Sequence, residues 1–230
     1  TIKLSASLSI DPMWALIPGS SGSGKTGIAN KLVAGNSNIS VRNITVDGTL
    51  APSNTHLIRF YKGSGINVSG VKCVGPGTNN VQDCIAMVQT DGYSVRNNSC
   101  VGIRNACYDQ WDGSSNGVIS GNTVTGGGVL SYGILINGIA TDYSVNTTKK
   151  IVVSGNIVND VKSVGIWVGG LYNAGTGTFG VVNDVVVTGN LVDTSDLHGI
   201  LVSDGNRNIV NGNVIRNTAD QIHRNSEAIA

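Results

Sequence analysis

The chain has 230 residues, 32 of them glycine, with 13% charged side chains and a formal charge of +1. Glycine therefore stands at about twice its usual ~7% share and charge at about half its usual ~25%, and the near-neutral balance excludes the clustered basic footprint of a nucleic-acid binder. With 29 valines, 22 isoleucines and 26 asparagines against 12 leucines and 2 phenylalanines, strands and turns are expected throughout and an all-helical fold is excluded.

The chain opens Thr1-Ile2-Lys3 with neither an initiator Met nor signal-peptide flanks, which reads as a processed product or a cut fragment. No apolar run is long enough for a membrane-spanning helix. Gly19-Ser20-Ser21-Gly22-Ser23-Gly24-Lys25-Thr26 satisfies G-x-x-x-x-G-K-[ST], whose amides and lysine cradle nucleotide phosphates at a helix N-terminus. Trp14 to Ile17 reads as a strand before it, and Ile28, Leu32 and Val33 as one face of a short helix after it. From residue 36 onward, however, no βαβ unit with an acidic magnesium-binding strand follows. A P-loop nucleotide binder is therefore the least favoured reading, and residues 1–35 are expected to lead into the repeat that follows.

That repeat is an apolar alternation broken by a Gly or Asn corner. It reads Val41-Arg42-Asn43-Ile44-Thr45-Val46, then Val68-Ser69-Gly70-Val71-Lys72-Cys73, and recurs with its corner at Asn97, Gly121, Gly155, Gly189 and Gly212. Corner intervals are 27, 27, 24, 34, 34 and 23 residues. Between most corners lies a second strand phrase, as in Leu57-Ile58-Arg59-Phe60, Cys84-Ile85-Ala86-Met87, Gly133-Ile134-Leu135-Ile136, Gly165-Ile166-Trp167-Val168 and Gly199-Ile200-Leu201-Val202. A turn of roughly 25 residues with three short strands is the period of a parallel β-helix. The expected fold is all-β, a single-stranded parallel β-helix of about seven rungs over residues 36–218, with 219–230 as a tail. Val and Ile stack inward, while the corner residues supply positive φ and asparagines pass hydrogen bonds between rungs. Of the four cysteines, Cys73 and Cys100 fall at equivalent inward positions one rung apart and are expected as stacked free thiols. The redox compartment stays open.

This pattern resembles the right-handed parallel β-helix of the pectin-lyase-like superfamily, whose asparagine ladder the Gly-Asn corners match. The superfamily contains lyases, hydrolases, epimerases, phage tailspikes and inactive stalks, so the resemblance implies a fold and a carbohydrate theme. Gln82-Asp83-Cys84-Ile85-Ala86 resembles the Asp-Asp-Cys-Ile-Ala phrase of polygalacturonase-type hydrolases, with Gln82 in place of the first Asp. That family's His-Gly and Arg-Ile-Lys phrases are replaced by Arg104-Asn105 and Leu135-Ile136-Asn137. Cys107-Tyr108-Asp109-Gln110-Trp111 resembles the Gly-Phe-Asp-Pro-His phrase of alginate epimerases, keeping the Asp and replacing the His by Trp111.

In related enzymes catalysis uses outward side chains of the first sheet. Aligning the strand phrases places Arg59, Ala86, Tyr108, Leu135, Trp167 and Leu201 in one outward column, with Tyr61, Val88, Gln110, Asn137, Gly169 and Ser203 in the next. The rung around Asn105 to Gly113 departs furthest from the Ile-x-Ile phrase, and such a departure marks a functional site. Asp83 with Asp109 or Asp112 can supply the two carboxyls of a glycosidase. Tyr108 as base with Arg59 or Arg104, or Ca2+ held on Asp109 and Asp112, suits a uronate lyase. The plainer alternative is that Asp109 and Asp112 cap a turn before Gly113. Gln110, Trp111, Trp167 and Tyr132 are candidate sugar contacts, and His198 is either another or a hydrogen-bonding residue at a rung end.

The reading that unites these features is a carbohydrate-active β-helix cleaving an acidic polysaccharide, as a lyase, a glycoside hydrolase or a tailspike depolymerase. The alternative is a non-catalytic stalk or glycan-binding module. The resemblance implies an extracellular or virion-associated protein whose partner is a polysaccharide, with no nucleic acid or membrane, and a homotrimer as in tailspikes.

Overall fold

Valine and isoleucine alternating with polar residues, interrupted by corners that only Gly or Asn turns easily, build parallel ladders rather than hairpins. The computed structural model describes residues 2–3, 25–29, 37–52, 54–77, 81–126, 130–139, 147–173 and 178–224. Every element in them is a strand, and none of them holds a helix long and apolar enough to cross a membrane.

The strands wind into three faces. The first carries Thr55–Tyr61, Val81–Val88, Ala106–Trp111, Tyr132–Ile139 and Val164–Asn173, paired in that order. The second carries Ser64–Ser69, Asp91–Arg96, Ser115–Ser120, Thr148–Ser154 and Val182–Thr188. The third carries Thr45–Asp47, Lys72–Val74, Ser99–Val101, Thr123–Thr125 and Ile157–Val161. Leu191–Val202 belongs to two faces at once, joining the third-face ladder through Leu191 to Ser195 and the first-face ladder from His198 onward. These pairings are parallel; Thr178–Phe179 lies antiparallel to the end of Val164–Asn173. The result is a parallel β-helix with the three strands per turn expected from the repeat.

The corner column is as the sequence predicts. Asn43, Gly70, Asn97, Gly121, Gly155, Gly189 and Gly212 all sit at φ between 53° and 63°. From Asn97 onward the residue after each corner carries the ladder: Asn98, Asn122, Asn156 and Asn190 each donate through Nδ2 to the Oδ1 of the next asparagine, ending at Asn213, over 2.9–3.0 Å. Each also donates to a second-face carbonyl, and each Oδ1 from Asn122 to Asn213 accepts the backbone N–H of the ladder residue one rung before. Buried backbone groups that water cannot reach are thereby satisfied. Inside, Leu57, Ile85, Ile119, Ile134, Val153 and Ile166 belong to one continuous core with no exposed surface.

Three expectations are corrected. Lys25 and Thr26 of the glycine-rich motif lie in strand Lys25–Ala29, parallel to Thr55–Tyr61, so they begin a rung and not a phosphate-binding helix; Gly19 to Gly24 lie outside the described residues. Cys73 and Cys100 do stack in one column, but both are oxidised, in disulfides Cys73–Cys84 and Cys100–Cys107 with Cα atoms 5.8 and 5.9 Å apart. Side chains in one column point the same way, whereas those of the third and first faces converge on each other inside the coil, the geometry a disulfide needs. The third correction is one of register. Asp109, not Tyr108, pairs with Ala86 and Leu135, while Tyr108 pairs with Ile85 and Ile134 and Gln110 with Met87 and Ile136. A one-residue shift exchanges inside and outside, so Tyr108 and Gln110 are fully buried core residues and Asp109 and Trp111 take the outward places.

Candidate active site on the first face

Two outward columns border the site. One runs His56, Asp83, Ala106, Tyr132, Val164, His198, Asp220; the other, three residues further along each strand, runs Arg59, Ala86, Asp109, Leu135, Trp167, Leu201. Between them opens a cleft of about 290 Å³. Asp83, Asn105 and His56 line one part of it, Asp109, Asn137 and Trp111 another, and Tyr132 and Trp167 a third.

Asp83 is saturated with donors. His56 Nδ1 stands 2.6 Å from its Oδ2, and its other oxygen accepts from Asn105 Nδ2 at 2.9 Å and the Ala106 N–H at 3.2 Å. The rung-to-rung register of His56 on Asp83 and Asp83 on Ala106 produces this convergence, because each column neighbour is only one strand spacing away. Gln82 is held aside by donating to Asn54 Oδ1 at 2.8 Å.

Asp109 lies in a different setting. Burial, reinforced by the nearby Asp83 charge, holds its carboxyl well above the usual carboxylate range, with Arg59 and the Gln110 backbone opposing only in part. Asn137 Nδ2 donates to its Oδ1 at 3.1 Å. Below the cleft, the buried Arg59 guanidinium stacks 5.3 Å from the Trp111 ring. The Cα atoms of Asp83 and Asp109 stand one rung and three residues apart, roughly 11 Å, and both side chains line the same cleft.

Tyr132 and Trp167 pack at the edge with ring centroids 5.3 Å apart, and the Trp167 indole is fixed by its N–H donating to Ser203 Oγ at 3.1 Å. Together they form an aromatic platform of the kind that takes the apolar face of a sugar.

The remaining predicted residues stand elsewhere. Asp112 occupies a corner at φ 54°, accepts from Gln89 Nε2 at 2.7 Å and is not among the residues that line the cleft. Among the described residues no three His, Cys, Asp or Glu gather as metal ligands. Arg104 is exposed and outside the cleft lining. His198 lies further along the Asp83 column, 3.4 Å from Asp220. The hydroxyl of Tyr108 has no hydrogen-bond partner and no surface to offer a substrate. Sequence reasoning missed His56, Asn105 and Asn137. The signal for His56 was the spacing itself, since it precedes Arg59 by the same three residues by which Asp83 precedes Ala86.

No protein-family profile and no curated protein matches the sequence. Among solved structures, endopolygalacturonase I from Stereum purpureum, complexed with two galacturonates, superposes with a TM-score of 0.59 at 19% identity, over 89% of this chain and 66% of its own. The exopolygalacturonase of Thermotoga maritima gives 0.46 at 15% identity over 70% and 38%, respectively. A tailspike mutant of E. coli bacteriophage HK620 in complex with a pentasaccharide gives 0.47 at 14% over 98% and 58%. The chain spans less than two thirds of the length of each of these proteins. What the first superposition fixes is the fold.

Proposed function

We propose that this pectin-lyase-like parallel β-helix hydrolyses glycosidic bonds in a polysaccharide lying along its first face. The observation that carries the reading is one cleft holding both a carboxyl group whose hold on its proton burial raises, Asp109, and a His56–Asp83 pair. A carboxyl whose hold on its proton is raised by burial and an imidazole held by a carboxylate can serve as an acid and a base.

Asn137 donates to Oδ1 of Asp109, so the acid proton sits on Oδ2. From there it passes to the glycosidic oxygen as the bond to the anomeric carbon breaks. Asp83, already holding the donors from Asn105 and Ala106, serves to orient His56 through Nδ1. The imidazole Nε2 then takes the proton of a water that adds to the anomeric carbon. Solvent returns a proton to Asp109 and removes one from His56, which closes the cycle.

Incubation with polysaccharides tests this. New reducing ends without ultraviolet-absorbing unsaturated ends are expected, and Asp109→Asn should lower the rate at least ~100-fold while keeping the fold. Unsaturated ends mean an elimination instead, and full activity of Asp109→Asn removes the assignment. The Tyr132–Trp167 platform also suits a module that binds glycan without cutting it; retained glycan binding with no products supports that second reading.

The two disulfides fit maturation in an oxidising compartment, hence an extracellular or virion-associated protein. A homotrimer would have apolar surface to cover in the exposed Leu197, Ile209, Val214 and Ile222 of the last described rungs, and sedimentation measures whether it forms.

A further inference from the structure

We infer that the sugar residue bound in the first-face cleft is uncharged, presenting hydroxyl or acetamido groups and no carboxylate. This reverses the acidic substrate expected from the sequence, and it rests on the cleft being a sugar site as proposed above.

The first argument is the placement of positive charge. The described residues lining the cleft supply the carboxyls of Asp83 and Asp109 and the amides of Gln82, Asn105 and Asn137, but no lysine or arginine. From residue 37 onward the segments outside the described residues add none: Ser53, Thr78 to Asn80, Gly127 to Val129, Ala140 to Asn146, Ala174 to Gly177 and Asn225 to Ala230 contain no basic side chain. Many cations lie on other faces, with Arg42, Arg96, Lys149 and Lys150 on second-face strands and Lys72 and Arg216 on third-face strands. Lys25 and Arg224 belong to the first and last described first-face strands, Arg59 is buried against Trp111, where its charge acts on Asp109, and Lys162, in the corner between the third and first faces, pairs with Asp196 at 3.4 Å. A uronate placed in this cleft would lose its water beside the Asp83 carboxylate, and the basic side chain among the described lining residues, His56, is already held by that carboxylate.

The second argument is a buried acceptor. Asn137 is 1% exposed and lines the cleft, and its Oδ1 has no hydrogen-bond partner. An orphaned acceptor calls for a donor. A sugar hydroxyl or an acetamido N–H supplies one, and a carboxylate at that position would bring only further acceptors.

The test uses Asp109→Asn, which preserves the neutral state of that side chain, as a non-cutting binder on an array of neutral, N-acetylated and uronic oligosaccharides. Hits are then titrated by tryptophan fluorescence, since Trp111 and Trp167 both line the cleft. Each neutral hit is compared with the same glycan after its hydroxymethyl groups are oxidised to carboxylates. The expected result is binding confined to neutral or N-acetylated glycans, weakened about 10- to 100-fold by oxidation, with wild-type protein releasing reducing ends from the same glycans. Tighter binding of the oxidised form, or wild-type hydrolysis of a polyuronate alone, overturns the substrate class and leaves hydrolysis standing. Neutral glycan bound by the variant yet uncut by wild type overturns hydrolysis and leaves the substrate class standing. Absence of binding across the array removes both.

Discussion

Asp109 is the residue on which the proposed chemistry depends, and its cost to the fold is measurable. Burial first, then the charge of Asp83, raises its carboxyl in the folded state, while in the unfolded chain it titrates near the ordinary ~3.9. Between those two values the native protein holds a proton that the unfolded chain has released. The stability this group contributes is therefore full below the unfolded value and is lost as pH rises through the raised folded one. Asp109→Asn keeps an acceptor for Asn137 and removes the titration. Thermal midpoints of the two proteins are expected to converge near pH 4, with wild type falling below the variant as pH approaches neutrality. Parallel curves across that range would mean that Asp109 titrates normally and is no candidate acid.

At the scale of the strand and its corner, the asparagine ladder is a chain of bonds with unequal links. Asn156 is buried, donates to Ile119 O and Asn190 Oδ1, and accepts from both the backbone and the side chain of Asn122. Asn156→Ala leaves several buried groups unpaired, each worth about 1–3 kcal/mol, so a loss of about 3–5 kcal/mol is expected from denaturant midpoints. Asn213 makes the same bonds to Asn190 but is partly exposed, so water replaces them, and its Ala variant should cost about 1 kcal/mol or less. Equal losses would mean that the ladder carries no burial-dependent energy.

The same scale shows what the sequence made legible. Corners and ladder could be read because positive φ and internal hydrogen bonding admit few residue types, so Gly and Asn recur in phase. Alternation was less informative in the rung from Ala106 to Trp111, where every residue is buried and inside cannot be told from outside by polarity. There Tyr108 and Asp109 exchanged places, and only pairing with Ile85 and Ala86 fixed the register. The disulfides were hidden for a related reason: Cys73 and Cys84 stand on different faces, in different columns, and meet only when those two faces close around the interior.

At the scale of the whole coil, stability is a sum over rungs and their neighbours, and it is unevenly reinforced. Both disulfides cross the corner between the third and first faces on the two rungs that present Asp83 and Asp109. They close sequence separations of 11 and 7 residues, worth about 2–3 kcal/mol each on loop-entropy grounds. The last described rungs have no such staple, and their inward Val202, Val210 and Ile215 are only partly buried. Hydrogen exchange should therefore find the strands from Lys72 to Trp111 among the best protected and those from Ile209 onward among the first to open. Reduction should lower protection in Lys72–Val88 and Ser99–Trp111, with glycan cleavage falling in step, while Val182–Thr188 exchanges as before. Loss of protection spread evenly along the coil would show that the rungs unfold as one unit and that the staples do not act locally on the candidate site.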